Sequence, residues 1–326
     1  MNKTNKLTLP PLKWAGGKRK MSSIIISAAE SIDGPFMYYE PFFGGGAIFF
    51  SLFDKGLIKR AHLNDIVPQI INFYLTISDQ SSLEEVINES MAIEKQFNNL
   101  VDNVKKRKEA YKKLKEDFNA EWLSSGSKIL INKDLNKNNI MLASKFLALN
   151  KLGFNGMFRL NSKGEFNIPM GSMGNKTLLD IENIHNVAKA LQKATFTCDD
   201  YVNVKPFKGH IGAKNLIFLD PPYIPNSKTS NFTDYSAEGF NKKAHQKLSD
   251  KFSKLINIKD TNVILTNNYN QHSVELFVEK NKENNKIKAY KVQVMKSISA
   301  NAESRGKTEE LLVSTFPIDH KDLEEL

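Results

Sequence analysis

The stretch Asn215-Leu-Ile-Phe-Leu-Asp-Pro-Pro-Tyr223 constrains the fold of this chain more than any other. Its apolar run is typical of a short buried strand, which an acid and two prolines end abruptly. Ligands bind at the carboxyl edge of open α/β sheets, so a strand that delivers Asp220 to that edge predicts an active site there. The alternative is a strand that ends in an ordinary Pro-Pro turn.

The residues of this corner suit the recognition of a planar base. Asp220 and the carbonyl of Pro221 can accept hydrogen bonds from an exocyclic amino group, and the fixed φ of the prolines would hold these acceptors still. Tyr223 offers a flat face on which a base can stack. The sequence therefore predicts catalytic roles for these three residues.

Composition narrows the function classes. The 326 residues include 46 Lys and Arg against 36 Asp and Glu, a formal charge of +10 that favours a polyanionic partner. The single cysteine, Cys198, excludes an intramolecular disulfide and a multi-cysteine metal site, which fits a reducing cytoplasm. No run approaches the roughly 20 apolar residues of a membrane helix, and Met1 to Lys6 lack the apolar core of a signal peptide, so we expect a cytoplasmic protein without a membrane anchor.

Two glycine-containing segments near the N-terminus predict a further binding region. In Lys13-Trp-Ala-Gly-Gly-Lys18, two glycines beside a tryptophan favour close approach of the backbone to a ligand, and a turn that precedes a helix is the alternative. Pro41-Phe-Phe-Gly-Gly-Gly46 joins a predicted strand to a helix whose N-terminus supplies free N–H groups. Asp65 follows Gly46 by 19 residues, close to the spacing typical of a ribose-binding carboxylate. Alternatively, Asp65 caps a helix that begins near Pro68.

The middle of the chain is more polar. Residues 81–137 predict a Lys-rich amphipathic helix with Val104, Tyr111, Leu114 and Phe118 on its apolar face, and its charged face is either solvated or close to phosphates. Residues 150–171 alternate aromatic, polar and cationic side chains and predict a hairpin that turns at residues 162–164. Such side chains on a rigid hairpin suit the reading of base edges, although a purely structural hairpin is the alternative.

The remaining periodicity indicates an α/β pattern. A helix is expected over 181–193 and a second with an apolar face from Ala244 to Ile256. Strands are expected over 194–198 and 262–268, and a terminal hairpin over 290–294 and 311–316.

Taken in order, these motifs resemble the Dam-type (D12 class, group alpha) DNA N6-adenine methyltransferases. The resemblance rests on Lys-Trp-Ala-Gly-Gly-Lys, Pro-Phe-Phe-Gly-Gly-Gly, Asn64-Asp65, the segment 155–169 and Asp-Pro-Pro-Tyr, and extends from about Pro11 to Phe316. It includes Asn231-Phe-Thr, Ser297-Ile-Ser-Ala-Asn301 and Glu309-Glu-Leu-Leu312.

The resemblance implies roles for individual residues. Contacts to S-adenosylmethionine are expected at Trp14, Ala15, Gly16, Lys18, Glu40, Pro41, Phe42, Gly44, Gly46 and Asp65. Contacts to DNA are expected at Lys13, Phe154, Asn155, Met157, Arg159 and Pro169, with Lys13 near the first base. Phe154 departs from the tyrosine expected in close relatives, which keeps stacking and removes a hydroxyl.

The resemblance also implies a doubly wound α/β methyltransferase core with an inserted, mainly helical target-recognition region that contains a β-hairpin. We expect core parts at residues 1–76 and 195–326 and the insertion at 77–194. The expected activity is methylation of N6 of a flipped adenine in duplex DNA, with GATC as the leading site, by a monomer that either acts alone or accompanies a cognate restriction endonuclease. The alternatives are an amino or amide methyltransferase acting on RNA or protein, and a DNA-binding protein without activity.

Overall fold

The computed structural model describes residues 7–14, 16, 18, 21–125, 135–172, 174–205, 214–223, 240–295 and 307–326. Within these ranges the strands are β1 Phe36–Glu40, β2 Ile58–Asn64, β3 Ala194–Thr197, β4 Asn215–Leu219, β5 Thr261–Asn268, β6 Lys288–Met295, β7 Lys307–Ser314 and β8 Leu323–Glu325. The helices are α1 Ser22–Glu30, α2 Ala47–Asp54, α3 Pro68–Ser78, α4 Gln80–Asn98, α5 Val104–Ser125, α6 Lys137–Leu152, α7 Ile181–Leu191, α8 Lys242–Leu255 and α9 Gln271–Phe277.

The strands form one mixed sheet in the order β3-β2-β1-β4-β5-β7-β6-β8. The first five are parallel, with Tyr38 of β1 aligned between Ala61 and Leu216. β7 runs antiparallel to β5 and β6, and β8 runs antiparallel to β6. The order reverses direction between β1 and β4, which is the position where open α/β sheets bind ligands at the carboxyl ends of their strands.

Helices cover both faces of the sheet because successive strand residues point to opposite sides. Tyr38, Phe218 and Ile264 pack into a core shared with α1, α2, α3 and α7. Their neighbours, including Ile217 and Leu265, pack into a second core with α8 and α9. The central strands β1 and β4 are therefore buried on both faces along their whole length, whereas β2 and β3 toward the edge of the sheet are partly exposed.

The first of these cores continues from α3 into α4, α5 and α6. Tyr111, Leu114 and Phe118 of α5 are buried in it, as predicted. The prediction for Val104 was wrong, because its side chain is 49% exposed. Arg107, one helical turn further on, is buried and donates from Nη2 to the carbonyl of Gly174 at 2.8 Å. The cationic face of this region is therefore not entirely solvated.

The predicted strands and the terminal hairpin are confirmed within a residue or two at most ends. The hairpin predicted over residues 150–171 is not a regular two-stranded element. The chain does reverse at Asn161, whose N–H donates to the carbonyl of Glu165 at 2.9 Å. Within this described segment the backbones of the two arms pair only at the isolated bridges Gly153 to Met170 and Leu160 to Phe166.

None of the helices in the described parts of the chain is both long and apolar enough to cross a lipid bilayer.

Candidate active site

A cavity of about 620 Å³ opens at the carboxyl ends of β1 and β4. Its walls include the loop after β1, the residues after β2, the Asp-Pro-Pro-Tyr corner after β4 and the start of α8. This volume is within the range of small-molecule and cofactor sites. The sequence predicted ligand binding at three separate segments: the one around Trp14, the glycine loop with Asp65, and the Asp-Pro-Pro-Tyr corner. The fold brings residues of all three into the wall of one cavity.

The loop after β1 needs glycine for a reason that the sequence did not reveal. Gly44 and Gly46 have φ values of 49° and 72°, which side chains rarely adopt. A Cβ on Gly44 would lie 2.8 Å from the indole of Trp14, and a Cβ on Gly46 would lie 2.6 Å from the ring of Phe43. The glycines thus let the loop pack against Trp14 and Phe43, and both glycines still line the cavity.

Asp65 ties this loop to the end of β2. Its Oδ2 accepts from the N–H of Gly44 at 2.8 Å, and its Oδ1 accepts from the N–H of Val67 at 2.9 Å. Burial raises the pKa of Asp65 to about 6, although both N–H groups lower it. The N-cap of α3 is Val67, which makes no side-chain cap bond, so Asp65 does not cap that helix. A carboxylate has about four acceptor positions, so Asp65 keeps capacity for ligand hydroxyls in the cavity.

Glu40 ends β1 beside the same cavity and is 3% exposed. The hydroxyl of Tyr38 donates to its Oε2 at 2.9 Å. Burial raises the pKa of Glu40 well above its ordinary value, while the Tyr38 hydrogen bond opposes that shift.

Asp220 lies at the centre of a network of charged and polar groups. Its Oδ1 accepts from the hydroxyl of Thr266 at 2.8 Å and lies 3.2 Å from Nζ of Lys18. The same ammonium lies 3.2 Å from Oε2 of Glu310 and 4.1 Å from the centroid of the Tyr223 ring. The Tyr223 hydroxyl donates to that Glu310 oxygen at 2.7 Å. Burial raises the pKa of Asp220, whereas Lys18 and then Thr266 lower it.

The predicted catalytic residues Asp220, Pro221 and Tyr223 thus line the same cavity, and Lys18 contacts Asp220 and Tyr223 there. The resemblance implied that Lys18 contacts the cofactor. In the structure its charge is paired with the carboxylates of Asp220 and Glu310, although its side chain also lines the cavity.

Another part of the cavity wall is aromatic. Phe42 contacts Tyr201 and Phe240 with ring centroids 5.0 and 5.9 Å apart, and the Tyr201 hydroxyl donates to the carbonyl of Ala244 at 2.8 Å. Asp199 and Asp200 lie alongside. The sequence analysis named Phe42 but missed Asp199, Asp200, Tyr201 and Phe240, since the segment Cys198-Asp-Asp-Tyr201 carries no motif.

The residues predicted to contact DNA lie on one connected segment. The side-chain oxygen of Asn150 accepts from the N–H of Lys13 at 2.8 Å, and its amide donates to the carbonyls of Lys13 and Gly156 at 2.8 and 3.1 Å. The N–H of Phe154 donates to the carbonyl of Pro169 at 2.9 Å. Asn150 and this backbone bond therefore hold Lys13 and the two arms of the reversal together.

Exposure differs among these residues. The side chains of Lys13, Phe154, Asn155, Arg159 and Pro169 are exposed, and that of Phe154 is 50% exposed. Met157 is half-buried and packs against the core, so it is less free to enter DNA than its motif suggested. Arg159 donates from Nε to Asn167 Oδ1 at 2.9 Å, and Asn155 has a φ of 54°.

Trp14 connects the two regions, because its indole stacks on Phe158 with centroids 5.5 Å apart. Gly16 lines the cavity with a φ of 78°. Ala15, Asn231-Phe-Thr and Ser297 to Asn301 lie outside the described residues.

Comparison with known proteins agrees with this geometry. Residues 14–298 match the family described as D12 class N6 adenine-specific DNA methyltransferase. The chain is 33% identical to Type II methyltransferase M.MjaIII of Methanocaldococcus jannaschii over 80% of this chain and 84% of that protein. It is 30% identical to Type II methyltransferase M1.LlaDCHI of Lactococcus lactis subsp. cremoris over 96% and 97% of the two chains. It is also 30% identical to a DNA adenine methylase of Vibrio cholerae over 94% and 95%.

These matches span most of the chain and include both the glycine loop and the Asp-Pro-Pro-Tyr corner. They confirm the resemblance drawn from the motifs: this chain belongs to the D12 class N6 adenine-specific DNA methyltransferases and is a site-specific, adenine-specific DNA methyltransferase.

Proposed function

We propose that this enzyme transfers a methyl group from S-adenosylmethionine to N6 of an adenine flipped out of duplex DNA, within GATC. The observation that supports this most is the position of Asp220. Its carboxylate, the buried Pro221 and the ring of Tyr223 lie in the same cavity as Asp65 and the glycine loop. One cavity thus contains groups suited to the methyl donor and groups suited to the accepting base.

The cavity residues fit the proposed cofactor. Its lining includes five carboxylates and three ammonium groups, contributed by Glu40, Asp65, Asp199, Asp200 and Asp220 and by Lys18, Lys243 and Lys247. This acidic balance suits a ligand that carries a sulfonium and an amino group. Asp65 would hold the ribose hydroxyls, and Phe42 with Tyr201 and Phe240 would contact the adenine ring of the cofactor. When bound, S-adenosylmethionine supplies a methyl group on its sulfonium sulfur.

Asp220 and Pro221 would activate the accepting nitrogen. The N6 lone pair of adenine is conjugated with the ring, and acceptors at both amino hydrogens favour the pyramidal nitrogen that exposes it. Positive charge grows on N6 during transfer, and a shielded carboxylate stabilises that charge better than water does. This role requires the ionised form of Asp220, which Lys18 and Thr266 favour against the effect of burial.

The exposed segment around Phe154 would engage the duplex. Flipping a base costs a few kcal/mol, and the stacking of the base on Tyr223 would offset part of it. Phe154 is exposed enough to fill the gap left in the helix, with Met157 behind it. Lys13 and Arg159 would contact phosphates or base edges. The guanidinium of Arg159, which Asn167 holds in place, suits a bidentate contact with O6 and N7 of guanine. The similarity of residues 155–169 to the family's recognition segment supports GATC.

The names of two relatives extend this proposal. Both carry Type II methyltransferase names, which supports association of this enzyme with a restriction endonuclease of the same specificity.

The test uses purified enzyme, S-adenosylmethionine and duplexes that contain GATC or single substitutions of it. We expect N6-methyladenine, detected by mass spectrometry, on both strands of the GATC duplex. We expect none with Asp220→Ala, whereas Asp33→Ala should behave as wild type because Asp33 is 97% exposed. Modification of other sequences would reject GATC, and methyl transfer to RNA or protein alone would reject DNA as the substrate. Duplex binding without methyl transfer would identify a DNA-binding protein without activity.

A further inference from the structure

Lys18 occupies the position where the proposed function requires adenine. Its side chain is 7% exposed, and its ammonium contacts Asp220 and the face of Tyr223 at the same time. An adenine whose amino group binds Asp220 while its ring stacks on Tyr223 would use the same carboxylate and the same ring. With Nζ 4.1 Å from the ring centroid, that face of Tyr223 has no space for a stacked base.

An ammonium next to Asp220 would also oppose the reaction. Positive charge develops on N6 during methyl transfer, and a neighbouring cation would destabilise that charge. Lys18 must therefore leave Asp220 when the base enters. It cannot simply become unpaired, because a buried charge without a partner is strongly unfavourable.

Glu310 is placed to keep the displaced ammonium. It is 9% exposed, and its Oε2 already lies 3.2 Å from Nζ of Lys18. The same oxygen accepts from the Tyr223 hydroxyl at 2.7 Å, so Glu310 also fixes the orientation of the stacking ring. One carboxylate thus contacts both the group that must move and the ring that must stay.

We propose that Lys18 is a displaceable stand-in for the amino group of adenine, and that Glu310 is the positioning residue that holds Lys18 once the base binds Asp220. This inference rests on the proposed function. In DNA-free enzyme, the single charge of Lys18 is shared between the two neighbouring carboxylates and offsets part of their repulsion. When adenine arrives, Lys18 shifts its contact to Glu310 and leaves Asp220 to the base.

The proposal predicts how two substitutions interact. Glu310→Gln keeps an oxygen for the Tyr223 hydroxyl but removes the negative charge that would hold Lys18. The ammonium should then remain on Asp220 and compete with the base. Removing the ammonium as well, in Lys18→Met with Glu310→Gln, should free Asp220 and restore base entry. A purely structural role of Glu310 predicts instead that the two substitutions add.

The measurement is the single-turnover rate of methyl transfer at saturating S-adenosylmethionine and pH 8.5, with duplex Kd measured by anisotropy. For Glu310→Gln we expect a rate about tenfold or more below wild type with an unchanged duplex Kd, because the ammonium keeps its charged contact with Asp220 and competes with the base. The double variant should recover most of that loss. A double variant as slow as the product of the two single losses would overturn the proposal.

Two further measurements separate the causes of failure. Lys18→Met should shift the acid limb of the kcat/KM profile, which reports the free enzyme, to higher pH, because Lys18 lowers the pKa of Asp220 before the base binds. An unshifted limb would also contradict the proposal, since Lys18 would then not act on Asp220. If wild-type enzyme forms no N6-methyladenine at all, the proposed function fails. If wild-type enzyme is active and the rate losses of the two single variants add in the double variant, only the proposed roles of Lys18 and Glu310 are rejected.

Discussion

Replacing Asp65 with asparagine separates the structural role of this carboxylate from its proposed role in binding the cofactor. The side chain is 8% exposed, and its two oxygens each accept a backbone N–H, from Gly44 and from Val67. Asparagine has the same shape, no charge and a single acceptor oxygen. Whichever way its amide is oriented, one of these two N–H groups faces an NH2 group and loses its acceptor.

The effect on stability should depend on pH. Burial raises the pKa of Asp65 from 3.8 to about 6. A raised folded-state pKa means that the folded protein binds the proton more tightly, so this stability is complete below pH 3.8 and is lost as the pH rises through about 6. A pKa shift of this size corresponds to about 3 kcal/mol in the free energy of unfolding. About 2 kcal/mol of this contribution is lost between pH 4 and pH 7.

The Asp65→Asn variant would lack this titration but would leave one buried N–H without an acceptor, at about 1–3 kcal/mol. We therefore expect Asp65→Asn to be clearly less stable than wild type at pH 4. At pH 7 the two proteins should be nearly equal.

Urea unfolding of both proteins from pH 4 to pH 7 measures this difference, provided that the slope m is unchanged. Asp79→Asn is the matched control. The hydrogen bonds from Ser81 and Ser82 lower the pKa of Asp79, so its contribution is present above 3.8 and is lost as the pH falls. From pH 4 to pH 7 the stability difference between wild type and Asp79→Asn should therefore stay nearly constant, whereas the difference between wild type and Asp65→Asn should shrink as the pH rises. Parallel curves for wild type and Asp65→Asn would refute the argument from burial.

The functional arm uses titration calorimetry with S-adenosylmethionine at pH 8. The loss of a charged acceptor for a ribose hydroxyl should weaken affinity about tenfold or more, while duplex binding is unchanged. An unchanged cofactor affinity would leave Asp65 with only its structural hydrogen bonds.

Three further predictions concern separate parts of the site. Asp220→Ala should lower the single-turnover rate by more than about 10²-fold, because a group that stabilises developing charge is lost. The melting temperature should change little. Near-normal turnover would show that Asp220 is not a catalytic residue. Gly46→Ala should unfold at a clearly lower urea concentration than Gly56→Ala. Both glycines have a φ near 70°, but only at Gly46 would the new Cβ meet the ring of Phe43. Equal losses of stability in the two variants would disprove the steric argument. Arg159→Ala should cost about 1–3 kcal/mol of discrimination at one guanine-containing pair, measured as initial rates on singly substituted duplexes, whereas uniform weakening on every duplex would indicate a phosphate contact.

Elements whose signals are local were predictable from the sequence. The strand before Asp220 and the glycine loop between β1 and α2 were both expected where they occur. Each is specified by a few neighbouring residues, an apolar run with an abrupt stop in one case and triple glycine in the other.

Predictions failed where packing overrides periodicity. Val104 and Arg107 both lie near the apolar stripe of α5, and the pattern assigned the buried place to valine. Arg107 is buried instead, because its guanidinium reaches the carbonyl of Gly174 in a distant loop. His245 of α8 is likewise buried, between residues that the apolar pattern does include.

The partnership of Lys18 with Glu310 could not be found from local sequence, because it depends on strand direction. Glu310 is 292 residues from Lys18 and lies in the first half of β7. In a parallel strand that position would be at the edge of the sheet opposite the active site. β7 runs antiparallel to β5, however, and pairs Glu310 with Asn268 at the carboxyl end of β5. The antiparallel direction of β7 thus places the carboxylate of Glu310 at the edge of the sheet where Asp220 follows β4. A mutational search restricted to the loops after parallel strands would therefore omit Glu310, and the antiparallel strand β7 should be included when active-site residues are tested.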